Sequence, residues 1–390
     1  MISLSKLLGE GMNNYGDSLR YSVSSNKVVN GTGYGKGPVV IWNCTGSCNL
    51  KCQHCYYNSE EKDYSGELTT EEAKRFIDDL ANFNVPVILF SGGEPLMRKD
   101  LFQLIDYAAQ KDIRATISTN GTLLDEDAVK QLQSLGIGYV GISLDGIGER
   151  HDCFRGQKGA FEKTLRGIRQ CLSSGLRVGL RFTITRKNYH DIPEIFRLVE
   201  EEGIPRLCFY HLVYSGRGSE IKNEDINPEE TRNLMDLIME KTLYFEQKGQ
   251  PKEILMVDNH ADGVYIYLQM KKRNEEKAGY IYRLLKNNGG NRSGIAVSAV
   301  DNKGNVHPDQ FTLNHSFGNV KSKSFGEIWS DTSHPILRGL KNRKPLLKGR
   351  CTSCRWLEIC NGNFRSRAEA VYGDFWAPDP ACYLTDEEIS

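Results

Sequence analysis

Three cysteines within eight residues, Cys48-Asn-Leu-Lys-Cys52-Gln-His-Cys55, are the residues of this chain best placed to do chemistry. Three thiolates can bind three irons of a cubane and leave the fourth without a protein ligand, whereas iron–sulfur clusters ordinarily take four cysteines. The missing ligand means either an iron held open for another molecule or a zinc site completed by His54 or a remote residue. Structural zinc motifs favour paired CxxC knuckles; here the gaps are three residues and then two, which favours the open cluster. A second set, Cys351, Cys354, Cys360 and Cys382, offers four thiolates. Four suffice to saturate a 4Fe–4S cluster or a structural zinc. Cys44, Cys153, Cys171 and Cys208 stand alone, and isolated cysteines read as small buried apolar side chains.

The elements that must position these groups follow from hydrophobic periodicity. Strand-like runs at 38–43, 85–93, 114–121, 138–146, 178–186 and 206–213 alternate with amphipathic helix patterns. TTEEAKRFIDDLANF opens with a threonine cap and an acidic first turn, while DEDAVKQLQSLG and AFEKTLRGIRQCLSSG close in glycine. Six βα repeats imply parallel strands joined by right-handed crossovers. An open doubly wound sheet or a partial (β/α)6 TIM-like barrel satisfies that pattern, and in both the functional residues lie just past the strand C-termini. The three cysteines, Ser91-Gly92-Gly93-Glu94, Ser118-Thr119-Asn120 and Ser143-Leu144-Asp145-Gly146 all sit there, which predicts one common site. After residue 218 long polar helices take over, and from about 290 the chain is loop-rich, with a hairpin turned at Asn302–Gly304. The predicted organisation is an N-terminal lead (1–36), a barrel (37–218), a helical linker (219–289) and a C-terminal auxiliary domain (290–390).

Composition narrows the class. Lys plus Arg and Asp plus Glu each count 50, so the basic surplus that phosphate binding needs is missing and a nucleic-acid partner is not expected. Mean hydropathy is −0.48, and no apolar run approaches the ~18 residues of a membrane span. The first residues, MISLSKLLGEGMNN, lack the features of a signal peptide, so a cytoplasmic protein is expected. In a reducing cytoplasm, eleven cysteines point to metal or redox chemistry rather than disulfides.

CxxxCxxC after the first strand, followed by Ser91-Gly92-Gly93-Glu94-Pro95 after the second, resembles the radical S-adenosylmethionine (SAM) superfamily. The resemblance implies that the amino and carboxylate groups of SAM chelate the open iron of a 4Fe–4S cluster. An electron then cleaves the sulfonium to methionine and a 5′-deoxyadenosyl radical. His54 holds a position usually aromatic in the family, near the adenine. Gly92 and Gly93 let the backbone approach a ligand closely, and Glu94 can accept a hydrogen bond from the SAM ammonium. By the same resemblance Ser118, Thr119, Asn120, Ser143 and Asp145 hold the ribose and carboxylate, and Arg155 is a further carboxylate contact. The four C-terminal cysteines resemble the SPASM or Twitch tails that carry auxiliary clusters. This chain has Asp309 where the typical tail has a cysteine, which implies one second 4Fe–4S cluster rather than two, with Asp309 or His307 as a possible unusual ligand and zinc as the alternative.

Further segments, among them LCFYHLVYSGRG, MVDNHADGVYIYL, NNGGNRSG and VHPDQF, are similar to the tetrapyrrole-modifying radical SAM proteins of haem d1 and alternative haem biosynthesis. That likeness implies removal of acetate side chains from 12,18-didecarboxysiroheme to give iron-coproporphyrin III. The alternatives are propionate removal as in the haem d1 group, or maturation of a peptide by the same radical. An external low-potential electron donor is implied as a partner. A carboxylated iron macrocycle asks for basic, aromatic and iron-ligating side chains, and Arg217, Arg292, Tyr214 and His260 lie in these segments. Tyr210 and His211, at the end of the sixth strand, are the expected catalytic pair.

Overall fold

The apolar runs that close in Gly, Asn or Asp fold as strands. The computed structural model describes residues 1–9, 14–21 and 30–390; residues 10–13 and 22–29 of the predicted lead lie outside the described residues. Among the described residues ten strands form one sheet: β1 (Ile2–Ser3), β2 (Val39–Thr45), β3 (Val87–Gly92), β4 (Arg114–Thr119), β5 (Val140–Ser143), β6 (Val178–Ile184), β7 (Arg206–His211), β8 (Glu253–Val257), β9 (Val297–Val300) and β10 (Val306–His307). Their order is β1-β8-β7-β6-β5-β4-β3-β2-β9-β10. From β9 through β8 every neighbour is parallel, and β1 and β10 add antiparallel edges.

Helices Thr70–Asn82, Leu101–Gln110, Glu126–Ser134, Ala160–Ser173 and Ile192–Glu201 make the crossovers, as the periodicity predicts. The first is stopped from fraying by the expected cap: Thr69 Oγ1 accepts from Glu72 N, and the Glu72 carboxylate accepts from Thr69 N. Its buried face, Ala73, Phe76, Ile77 and Leu80, follows the 3.6-residue period, and Phe76 meets the buried Trp42 ring edge-on at 5.4 Å. Truncating Phe76 to Ala would remove about 3–5 kcal/mol.

Two strands arise where the sequence reading places none: β8, inside the predicted helical linker, extends the parallel sheet beyond β7, and β1 pairs with it from the lead. The predicted hairpin forms as β9 and β10, and β9 also joins β2 as a further parallel strand. The sheet therefore runs on past residue 218. Described parts of the lead meet the barrel: β1 pairs with β8, and helix Tyr15–Arg20 lies at the N-terminal ends of the strands, where Arg114 covers the Tyr15 ring at 4.3 Å.

Parallel register aligns the strand ends at one rim and decides which side chains share a face. Ser118 pairs with Gly141, Ser143 with Arg181, Thr183 with Tyr210, and Tyr210 with Val257. No helix among the described residues is long and apolar enough to cross a membrane.

Candidate functional site

The loop after β2 carries Cys48, Cys52 and Cys55, and each sulfur receives a donor. Leu50 N reaches Cys48 Sγ at 3.4 Å, the Arg155 guanidinium reaches Cys52 Sγ at 3.4 Å, and Ser59 N reaches Cys55 Sγ at 3.4 Å. Burial pushes the Cys48 thiol up to about 12 and raises Cys52 as well, so as bare thiols both stay protonated. Iron would ionise them, and the three donors are placed to meet that charge. The donor set therefore fits a three-cysteine cluster. Arg217 clamps the same loop from outside through Cys52 O at 2.8 Å and Ser59 O at 3.1 Å.

The expected SAM residues divide into two groups. Ser118 and Ser143 line a cavity that opens beside His54 and Tyr56. Gly92, Gly93, Glu94, Asn120, Asp145 and Arg155 stand behind it and hold the rim together. A Cβ on Gly92 would lie 2.5 Å from Thr45 O, and one on Gly93 only 2.0 Å from Ser47 O. The close approach those glycines permit is thus to the cysteine loop's own backbone. Glu94 accepts from Thr119 Oγ1 and Asn120 N, both at 2.7 Å, and from Leu96 N at 3.2 Å. Burial pushes its carboxyl up to about 7 against those bonds. Asp145 is fully buried, pairs with Arg155 and accepts from Thr183 N at 2.6 Å. Asn120 Nδ2 donates to Asn49 Oδ1 at 2.8 Å, tying β4 to the cysteine loop. His54 stacks on Phe154 at 4.6 Å, and burial lowers it to about 4, so the ring is neutral.

The cavity has a volume of about 420 Å³, within the range of small-molecule sites. It extends from the rim to the N-terminal ends of the strands, where a barrel of this kind is usually packed with branched aliphatics. One wall is polar and basic: Arg114, Ser118, Tyr139, Ser143, Arg181, Thr183, Arg206 and Tyr210, from β4 to β7. The other is aliphatic: Val39, Ile41, Val87, Leu89, Val257, Ala296 and Val297.

Both residues of the expected catalytic pair line the cavity. Burial raises the Tyr210 phenol, which therefore keeps its proton. Burial opposes charge on His211, but Asp262 Oδ2 at 3.0 Å outweighs it and raises the imidazole; Tyr383 donates to the other Asp262 oxygen at 2.9 Å. Of the expected macrocycle contacts, Arg292 and His260 reach the cavity. Burial holds His260 well below its usual range, and its Nδ1 has no hydrogen-bond partner. Tyr214 is turned to Asp225 at 2.7 Å and Arg217 to the cysteine loop.

Among the cavity residues that escape the sequence reading are Tyr56, Arg181 and Asp258. Tyr56 donates to Asn43 Oδ1 at 2.9 Å and lies 3.1 Å from Ser91 Oγ. Asp258, just past the end of β8, is in left-handed backbone, φ 69°, rare for a residue with a side chain. The alternation Gly179-Leu180-Arg181-Phe182-Thr183 puts Arg181 on the face of Gly179 and Thr183, and pairing with β5 and β7 is what turns that face inward.

In the tail, Cys351, Cys354, Cys360 and Cys382 lie within one another's electrostatic reach. Burial, then Cys382, Cys351 and Cys354, push the Cys360 thiol well up. No three Cys, His, Asp or Glu side chains among the described residues crowd closely enough to share one ion; a cubane does not ask for that, since each thiolate takes its own iron. Asp309 is occupied with the turn, accepting from Phe311 N, Thr312 N and Thr312 Oγ1, all at 2.9 Å. His307 holds His315 O at 2.9 Å and faces Asp301 at 3.5 Å.

A model of the radical SAM superfamily matches residues 42–199. A Fe-coproporphyrin III synthase of Methanosarcina barkeri is 55% identical, covering 100% of this chain and 99% of that protein. A pre-heme d1 synthase of Dinoroseobacter shibae is 42% identical, covering 97% of this chain and 93% of its own length. Among solved structures, anSMEcpe with bound AdoMet superposes with a TM-score of 0.68 at 19% identity, over 90% of this chain and 95% of that one. That likeness shows the fold: a partial TIM-like barrel with an additional C-terminal region.

Proposed function

The chain belongs to the radical SAM superfamily, and from that premise we propose that it removes the acetate side chains of 12,18-didecarboxysiroheme to give iron-coproporphyrin III. When bound, the cluster supplies the electron that splits SAM into methionine and the 5′-deoxyadenosyl radical. Cys48, Cys52 and Cys55 hold three of its irons. Ser118, Ser143 and His54 flank SAM at the rim, while Glu94, Asn120, Asp145 and Arg155 fix the strand ends that present it. Tyr210 offers a neutral phenol to the substrate, and His211, held by Asp262, an imidazole whose affinity for a proton is raised. The tail cysteines hold one auxiliary 4Fe–4S cluster; electrons come from an external low-potential donor, in the cytoplasm.

The observation that carries this reading is the two-walled cavity. A planar macrocycle with carboxylates on its edge needs aliphatic surface for its face and guanidinium groups for its rim, and here both line one space that begins at the cysteine loop. His260 adds a neutral imidazole on the same cavity, with which the substrate iron can be ligated. The 55% identity to a Fe-coproporphyrin III synthase, against 42% to a pre-heme d1 synthase, favours acetate over propionate removal.

Anaerobic incubation with reductant, SAM and didecarboxysiroheme tests it by mass spectrometry. The macrocycle should lose the mass of its acetates, with 5′-deoxyadenosine formed alongside. Active SAM cleavage over an unchanged macrocycle would reject this reading in favour of a peptide substrate.

A further inference from the structure

The cavity wall carries more positive charge than the protein neutralises. Six lining residues are arginines, Arg20, Arg114, Arg177, Arg181, Arg206 and Arg292, against two aspartates, Asp258 and Asp309. Glu253 answers three of the six, reaching Arg20 at 2.7 Å, Arg177 at 2.9 Å and Arg206 at 3.6 Å. Arg114, Arg181 and Arg292 have no ion-pair partner among the described residues. Arg114 donates to Gly138 O at 2.6 Å, Arg181 to Ser118 Oγ at 2.6 Å and Arg292 to Gly31 O at 2.9 Å. Each thus keeps its charge against neutral acceptors, and Arg181 Nε has no partner at all. All three are half-buried on the cavity wall, and three guanidinium groups there without a counter-charge suit an anion with several charges.

Two glycines show that the arrangement is built. A Cβ on Gly141 would lie 2.4 Å from Arg181 Nε, and one on Gly138 2.5 Å from Arg114 Nε. Neither glycine has a left-handed φ, so the backbone does not ask for glycine there. The arginines do: Gly138, just before β5, and Gly141 within it leave the space that the two guanidinium groups occupy.

Depth assigns their role. Arg114 is the first residue of β4, whose last, Thr119, belongs to the rim, about 16 Å away at the usual rise per residue. Arg292 precedes β9, whose Val297 pairs with Val39 at the start of β2. Both therefore lie away from the SAM end, while Arg181, in register with Ser143 and bonded to Ser118, stands closer to it. We propose that Arg114, Arg181 and Arg292 are the carboxylate receptors for the propionates that the reaction leaves in place, and that by gripping them they turn the acetate-bearing edge toward SAM. This rests on the tetrapyrrole reading and adds the residues that orient the ring.

The test is anaerobic titration of the holoenzyme, followed in the Soret band, with iron-coproporphyrin III and with its tetramethyl ester. Wild type should bind the acid at least tenfold more tightly than the ester. Arg181→Met and Arg114→Met should each weaken the acid five- to twentyfold and leave the ester unchanged, so that the preference collapses. Gly141→Ala, which displaces the Arg181 side chain without removing it, should reproduce part of that loss. Equal affinity of wild type for acid and ester, a comparison that needs no variant, would overturn the receptor assignment alone. Failure of wild type to bind either would overturn the tetrapyrrole reading along with it.

Discussion

A buried Arg–Asp pair stands behind each of the two cysteine sets, and the two pairs are wired differently. At the N-terminal triad, Arg155 pairs with Asp145, spends one donor on Cys52 Sγ at 3.4 Å and leaves its Nε buried without a partner. At the tail, Arg367 grips Asp379 with two nitrogens, at 2.9 and 2.7 Å. Its other bonds clasp the barrel, to Leu212 O at 3.2 Å and Asp258 O at 2.6 Å. Arg367 touches no sulfur and both members of its pair are buried, whereas Arg155 touches a sulfur and keeps an orphaned donor. Buried polar groups are nearly always matched, and Arg155 Nε is an exception, beside the sulfur that the same guanidinium reaches. The saturated Arg367 is a clasp that docks the tail.

The contrast is broken most severely at the cysteines. Cys52→Ala should reduce SAM cleavage to background, because the cubane loses one of only three ligands. Cys354→Ala should keep cleavage in the absence of tetrapyrrole while the iron content falls by about half, one cluster of the two. Loss of cleavage in both variants would show that the two sets act as one centre. Next come the arginines. Removing one partner of a buried pair costs about 3–5 kcal/mol, so Arg367→Met and Arg155→Met should lower the guanidinium midpoint alike. They should differ in chemistry: Arg155→Met shifts the reduction potential of the SAM-binding cluster, measured by EPR-monitored titration, and Arg367→Met leaves it in place. An equal potential shift from Arg367→Met would contradict the docking role.

Much of this was legible in the chain. The six strands from 38 to 213 announce themselves because each apolar run ends in Gly, Asn, Asp or a charge, and the triad is readable because ligand spacing is a local property. β8 was not legible: Glu-Ile-Leu-Met-Val is five residues with no alternation, since a parallel strand buried on both faces shows none. The glycines of Ser91-Gly92-Gly93-Glu94 were legible as a place of close approach, and the structure adds that they pack against the backbone of Thr45 and Ser47. Arg217 drew attention by lying in a familiar segment, yet it holds the cysteine loop. Arg181 did not, because a lone arginine in a strand reads as an outward residue until pairing shows that it shares a face with Ser143. Which side of a barrel strand is inside depends on every other strand, and no single segment carries that.

The smallest expected effect probes the docking seam from the other side. Asp258 gives its carbonyl to Arg367, but its carboxyl Oδ2 is buried without a partner. Burial pushes that carboxyl up to about 7 from an ordinary 3.8, against the opposing pull of Arg367. Between those values the folded chain holds a proton that the unfolded chain has released, so stability falls as pH rises and the penalty is complete only above the folded value. Asn cannot titrate, tolerates the left-handed φ of 69° and keeps the carbonyl that Arg367 clasps. Asp258→Asn should therefore be more stable than wild type at pH 8, by a margin about 2 kcal/mol larger than at pH 5. Anaerobic guanidinium unfolding at the two pH values measures it. A margin that shrinks on going to pH 8 would mean that the Asp258 carboxylate, like Asp379, is an ion-pair partner of the clasp rather than a buried acid beside it.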